Sequence, residues 1–410
     1  MSLKTPYNEA RFGKELHFPN YEIDLVLLRS INLFLEICSD LTIEDSRTEE
    51  GVRHIVGAFT TLLEENRCFN SLNNLPVLLE EKGEQDAWRA DGITPNLLHE
   101  IRNVAHGLSF ISTRCLPMRQ YLKHGGLDAD ISARLRHDSI EDKGKRKSSD
   151  IYAGMERALE ELSQEGLLDE AEHYCKRMEA TIAVELIDRM TRKDAAIDPS
   201  NGRIIFDEEK GKVKKVVRFD GDEQAYFDRL LTMPLAILIK YSDRIENVGT
   251  RLGVDRFSIE KNREYAEKTR FIYGVQQFIN RALEKWPEFK YAIQASDDML
   301  GIQLRILEAC NRYLSDPDLR PDRSFPVTFD EYAPNGLYPY SNLPEIFHPL
   351  SVALESIERH AKKSSRMNIV GARIAGQLNE LTDGYGFNPI PGINKRFWTN
   401  SSQPQSGFSY

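Results

Sequence analysis

Along most of this 410-residue chain, apolar residues recur at every third or fourth position with charges between them, and that period constrains the fold more than any single motif. It runs through residues 23–37, 48–65, 149–166, 170–192, 259–285, 298–314 and 344–363. Alternating strands are almost absent, so the chain is expected to be mainly α. The clearest exception is 202–219 (GRIIFDEEKGKVKKVVRF), where two β-branched runs flank a Glu-Glu-Lys-Gly turn and predict a small β-hairpin insertion. Loop-rich sequence is confined to 315–342 and the tail after Gly384.

Composition narrows the function classes. Hydrophobic residues at 40% and charged residues at 29% are globular proportions with enough apolar matter for a sizeable core. The formal charge of -10 lacks the basic excess that nucleic-acid binding demands, so no nucleic-acid partner is expected. Apolar runs such as 25–28 and 235–239 fall far short of the ~20 residues a bilayer crossing needs. The start, MSLKTPYNEARFGKE, has no signal-peptide h-region, so a cytoplasmic protein without membrane association is expected. Cys38, Cys68, Cys115, Cys175 and Cys310 form no CxxC pair and read as free thiols.

Three stretches carry chemistry. In 128–144 (DADISARLRHDSIEDKG), Asp130 is positioned to cap a short amphipathic helix with Ile131, Leu135 and Ile140 inward and Gly144 as its stop. On it His137 and Glu141 are four apart, as are Asp138 and Asp142. Carboxylates so close repel unless water screens them or a cation sits among them; the neighbouring imidazole makes a divalent transition metal the simplest reading, against a solvated acidic helix end. A second helix, 235–252, is apolar in its first turns and therefore buried; Asp243, Asn247 and Thr250 share one stripe while Ile237, Leu238, Tyr241, Ile245 and Val248 pack. Its bland alternative is a surface pair of Asp243 with Lys240 or Arg244. A third helix, expected to start at Thr94-Pro95 with the proline in its first turn, carries His99 and His106 seven apart on one face; each reads as a core histidine or as a metal ligand.

Taken together, a helical His, a His-Asp pair and a remote Asp resemble the HD superfamily of metal-dependent phosphohydrolases. Within it the chain is most similar to the hydrolase domain of RelA/SpoT homologues, which removes the 3′-pyrophosphate of (p)ppGpp. LLHEIRNVA at 97–105 resembles I-x-H-P-x-x-V-A, HDSIED at 137–142 resembles HDxxEDT, and IKYSDRIENVGT at 239–250 resembles K-L-A-D-R-x-x-N-x-x-T. Three departures stand within these motifs and beside them: Glu100 replaces the Pro, Lys143 replaces the Thr, and the spacing from His99 to His137 is long, which keeps His106 as a reserve ligand.

The resemblance implies an HD-like helical bundle over residues 91–275, flanked by an N-terminal helical scaffold (1–90) and a C-terminal helical region with a loop-rich tail (276–410). It implies metal ligation by His99, His137, Asp138 and Asp243, with manganese the usual ion. It also implies that Glu141 and Asp142 position or activate water and that Asn247 contacts a nucleotide substrate. The run Lys143, Lys145, Arg146, Lys147 reads either as a solvated loop or as a phosphate clamp, a role Lys240 and Arg244 could share. The expected activity is hydrolysis of a nucleotide phosphate or pyrophosphate ester. The alternatives are another HD-type nucleotidase or phosphodiesterase and a non-catalytic nucleotide-binding regulator on the same scaffold. His348, His360 and the tyrosines 332, 338 and 340 read as packing or as a contact in a homo-oligomer.

Overall fold

The computed structural model describes residues 21–41, 45–82, 94–113, 115–140, 148–196, 205–207, 212–217, 223–251, 259–273, 276–315 and, with 198 and 200, most of 343–356. The described residues are mainly helical. In chain order the helices are α1 (Tyr21–Ser39), α2 (Glu49–Glu65), α3 (Phe69–Lys82), α4 (Asn96–Ser112), α5 (Met118–Lys123), α6 (Gly126–Arg136), α7 (Ser148–Gln164), α8 (Glu170–Met190), α9 (Glu223–Leu230), α10 (Pro234–Gly249), α11 (Ile259–Tyr273), α12 (Gln276–Lys285) and α13 (Lys290–Ser315). Between α8 and α9, strand β1 (Lys193–Ala195) pairs antiparallel with β4 (Lys215–Val217), and β2 (Phe206–Asp207) with β3 (Lys212–Val213). Among the described residues no helix is long and apolar enough to cross a membrane. His360, the three tyrosines at 332, 338 and 340, and the tail lie outside the described residues.

The chain divides into two compact units, each drawing on several stretches: Met1–Leu27, Thr60–Glu81 and Pro117–Lys240 in one, Leu28–Phe59, Lys82–Leu116 and Tyr241–Tyr410 in the other. In the first, α6 packs on α8, and α8 packs on α7. Helix α6 differs from its expected form. It starts at Gly126 and not at Asp130, and all of its residues are buried, so it has no solvated face. Gly125 at its N-cap has φ +153°, and a Cβ there would stand 3.0 Å from Ile182 Cγ2, so only glycine fits. Asp130, expected as the cap, sits inside the helix, where it accepts hydrogen bonds from the Tyr121 hydroxyl and from Arg134 Nε at 2.7 Å. Burial together with the Asp130 charge drives the Tyr121 phenol well above its ordinary range. Arg136 Nε donates to Asn74 Oδ1 at 3.2 Å. The charged side chains that look solvent-directed in the sequence therefore find hydrogen-bond partners inside the unit.

A second buried cluster in this unit predicts a pH effect. Lys176 Nζ lies 2.7 Å from Glu179 Oε2 and 3.7 Å from Asp128 Oδ2. Burial works to lower the Lys176 pKa, but the two carboxylates raise it above its ordinary value. Burial raises the Glu179 carboxyl to about 7, with Lys176 opposing and Asp128 assisting. An unfolded Glu titrates near ~4.3, so between that pH and about 7 the folded chain keeps a proton that the unfolded chain has released. Stability is then highest below the unfolded value and falls as pH rises to the folded one. Between roughly pH 5 and 8, wild type should lose on the order of 2 kcal/mol relative to Glu179→Gln in urea unfolding. Parallel pH profiles for the two proteins would refute this.

In the second unit, α4 is buried from Leu97 through Ile111. Its expected start is shifted: Pro95 occupies the N-cap position with φ -58° and ψ 140°, not the first turn, and no side chain caps the helix. Phe34 packs its ring against Phe59 at 5.8 Å and Phe347 at 5.9 Å between centroids. The long α13 packs against α11 and α12.

Candidate metal centre

Each candidate side chain is delivered by a different local rule. Helix α4 lines up His99 and His106 by their seven-residue spacing, and both imidazoles are fully buried. Helix α10 starts at Pro234, whose missing N–H costs nothing in a first turn. Its Ile237, Leu238, Tyr241, Ile245 and Val248 are all fully buried, and Asp243 is buried as well, while Arg244 and Asn247 are half-buried. Asp243 is only 2% exposed, which rules out a surface pair with Lys240 or Arg244. His137 and Asp138 depart from the expected continuous helix. His137 is the C-cap of α6 (φ -56°, ψ -31°), and with Asp138 it lies in a turn.

That turn has a chemical consequence. His137 Nδ1 is 2.7 Å from the Arg134 carbonyl oxygen, an acceptor only, so Nδ1 carries the proton and donates. The bond satisfies one of the open carbonyls at the end of α6 and leaves the Nε2 lone pair to point elsewhere. His137 Nε2 is 3.3 Å from Asp138 Oδ2, and His99 Nε2 is 3.7 Å from Asp243 Oδ1.

Among the described residues, His99, His137, Asp138 and Asp243 form a group that could hold a metal ion, with one donor atom from each lying within 4.8 Å of all the others. Three of the four are buried, and Asp138 is half-buried. Donors bound ~2.1 Å from one ion stand roughly 3.0–3.4 Å apart in octahedral or tetrahedral arrangement; the 3.3 Å spacing lies in that range and the 3.7 Å spacing slightly beyond it. Two imidazole nitrogens and two carboxylate oxygens also suit a first-row divalent ion.

Asn247 Nδ2 donates to Asp243 Oδ1 at 2.6 Å, so the amide fixes the carboxylate's orientation. Outer-shell partners of this kind are worth roughly 10–100-fold in metal affinity. Asn247→Ala should therefore weaken Mn²⁺ binding by about that factor in a calorimetric titration. Unaltered affinity would show that the amide does not support the site.

The group includes His99 and not the reserve candidate His106, which is engaged nearby. His106 Nε2 is 3.0 Å from Glu246 Oε1, and Arg102 Nη1 is 3.8 Å from the other carboxylate oxygen. Burial pushes the Glu246 carboxyl up, yet the His106 hydrogen bond and the charges of Arg102, His106 and His99 outweigh it and hold the group below the ordinary carboxylate value. Burial, and then the charge on His106, lowers His348 to about 3, so its imidazole is neutral. Arg102 Nε donates to the Ile346 carbonyl oxygen at 2.8 Å. Glu246 went unrecognised in the sequence. The available signal was its place three residues beyond Asp243, on a helix whose start is too apolar to be exposed.

Of the remaining candidates, Lys240 is buried at 4% exposure, one turn before Asp243, and Arg244 Nη1 donates to the Tyr265 hydroxyl at 2.8 Å. Glu141, Asp142, Lys143 and the basic run that follows lie outside the described residues. No protein-family description, no curated protein and no solved structure matches this chain.

Proposed function

We infer that this chain is a metal-dependent phosphohydrolase of the HD type, acting on a nucleotide phosphate or pyrophosphate ester, with the 3′-pyrophosphate of (p)ppGpp as the leading substrate. The observation that carries the reading is the gathering of His99, His137, Asp138 and Asp243, four side chains from three separated stretches, within 4.8 Å. His99 and His137 would hold the ion through nitrogen, Asp138 and Asp243 through oxygen, and manganese suits such a mixed set. A divalent ion bound there neutralises phosphoryl oxygens and makes a nearby water easier to deprotonate.

The chain's own residues account for the remaining steps. His137 keeps its Nδ1 proton on the Arg134 carbonyl, so in the neutral ring the lone pair sits on the other nitrogen. Asn247 keeps Asp243 from rotating. Glu141, with Asp142 beside it, accepts the proton of the attacking water. The water oxygen bonds to phosphorus, the bond from phosphorus to the leaving oxygen breaks, and the departing group takes the electron pair and is protonated from solvent.

The test is phosphate or pyrophosphate release from a nucleotide panel that includes ppGpp, with the full chain and added Mn²⁺. Wild type should turn over one class of nucleotide only with metal. Asp138→Ala should be inactive, and Glu141→Ala should retain metal but lose roughly 10²–10⁴-fold in rate. Glu141→Ala with full activity would remove the water-activating role. Nucleotide binding with no turnover would make the chain a non-catalytic nucleotide-binding protein.

A further inference from the structure

The helices that supply His99 and Asp243 meet at a second place as well. On α4, His99, Arg102 and His106 follow one another at steps of three and four residues and so share a face. On α10, Glu246 stands three residues after Asp243. The first rung between the two helices is His99 Nε2 to Asp243 Oδ1 at 3.7 Å. The second is Glu246: its Oε1 lies 3.0 Å from His106 Nε2 and its Oε2 lies 3.8 Å from Arg102 Nη1. One carboxylate thus meets two side chains of α4 a turn apart. It also interacts electrostatically with His99, which puts it within reach of the metal group. Arg102 is anchored elsewhere too, its Nε donating to the Ile346 carbonyl oxygen at 2.8 Å. All of these residues belong to the second unit.

Stability alone gives little reason for a charge here. Glu246 is 2% exposed, and Arg102 and His106 are 0% exposed. Taking such ions out of water costs several kcal/mol apiece, and a buried ion pair is often no better for a fold than apolar side chains of the same volume. What the polar contacts supply is direction, because a hydrogen bond weakens steeply away from one separation and angle. Two helices held at one rung can swivel about it, and a second rung fixes their crossing. Helix rise sets the Asp243 and Glu246 Cα atoms only ~4.5 Å apart along α10, so a slide of α4 that breaks the Glu246 rung also moves His99 against Asp243. Donors held near bonding geometry beforehand bind an ion more tightly than donors the ion must gather, since less conformational freedom is lost. A further carboxylate one turn from Asp243 also favours a cation.

We propose that Glu246 is a positioning residue of the metal centre: by holding His106 and Arg102 of α4 against α10, it sets the spacing of His99 and Asp243 and thereby the affinity for a divalent ion. This rests on the metal-binding part of the proposed function and on no step of the hydrolysis.

The test titrates Mn²⁺ by calorimetry into the full chain and into Glu246→Gln, Glu246→Ala, His106→Leu and the double variant Glu246→Ala/His106→Leu, each well below its melting temperature. Glu246→Ala should bind Mn²⁺ about 10–100-fold more weakly than wild type, the range typical of residues that orient metal ligands. Glu246→Gln keeps an oxygen for His106 Nε2 but loses the charge, so its affinity should fall between the two, and this isosteric variant decides the matter if the alanine chain does not fold. The double variant should bind within about threefold of Glu246→Ala, because the two side chains act through one contact. A variant harmed only in its folding shows fewer sites per chain at an unaltered Kd, and that result overturns the proposal. So does unaltered Mn²⁺ affinity in both Glu246 variants. A wild type that binds no Mn²⁺ overturns it together with the metal centre. Glu246-dependent Mn²⁺ binding in a chain that turns over no nucleotide would sink the hydrolase reading and leave the positioning role standing.

Discussion

Asp128→Ala should lower the unfolding free energy by about 3–5 kcal/mol, the largest stability effect expected of any single substitution in the first unit. Helix α3 opens with Phe69, so Asn70 and Ser71 carry N–H groups that have no partner within the helix. The residue at the usual capping position is Cys68, which offers no oxygen. Asp128 reaches in from α6 and does this work from a distance. It accepts from Asn70 N–H (3.0 Å) and Nδ2 (3.1 Å), and from Ser71 N–H (2.9 Å) and Oγ (2.7 Å).

All of this is buried, with Asp128 at 1% exposure and Asn70 and Ser71 at 0%. Truncation strands two backbone donors away from water, at about 1–3 kcal/mol each before relaxation. It also removes one of the two carboxylates facing Lys176 and the negative charge that favours a helix N-terminus. Asp128→Asn keeps one acceptor oxygen and should cost about 1–2 kcal/mol. Guanidinium unfolding in the presence of a chelator checks both, and a loss below about 1 kcal/mol for the alanine variant would show that α3 does not depend on this carboxylate.

The second large effect concerns the metal group. Asp243→Ala should reduce Mn²⁺ affinity by more than about a hundredfold, since outer-shell partners alone are worth up to that much and Asp243 is assigned a direct bond. Metal binding should also couple to folding. At free Mn²⁺ near a hundred times its Kd, wild type should gain ~2.7 kcal/mol of stability, while Asp243→Ala should gain almost nothing at the same concentration. A metal-dependent gain of equal size in both proteins would show that Asp243 is not a ligand.

The helical character and the buried half of α10 were legible because they depend on local periodicity: the packing residues from Ile237 to Val248 follow from spacing alone. The group of His99, His137, Asp138 and Asp243 was legible for a different reason. The resemblance to HD-type motifs named these four together, while the residues alone left His99 open between a core histidine and a ligand. The internal partners of α6 were not legible. A helix with Asp128, Asp130, Arg134 and Arg136 reads as amphipathic, yet all four side chains are buried and hydrogen-bonded within the unit, and Asp128 meets Asn70 and Ser71 across 58 and 57 residues of chain. Glu246 was missed because a carboxylate on a helix is ordinarily solvated, and its partners Arg102 and His106 lie on α4.

In the proposed site one divalent ion joins three distant stretches of this chain. Anomalous diffraction at the manganese edge, from crystals of the full chain grown with Mn²⁺, tests it most directly. A single strong peak is expected within bonding distance of His99 and His137 nitrogens and Asp138 and Asp243 oxygens, lost in Asp243→Ala. A manganese-replete crystal with no peak among these four side chains, or with its peak elsewhere, would contradict it.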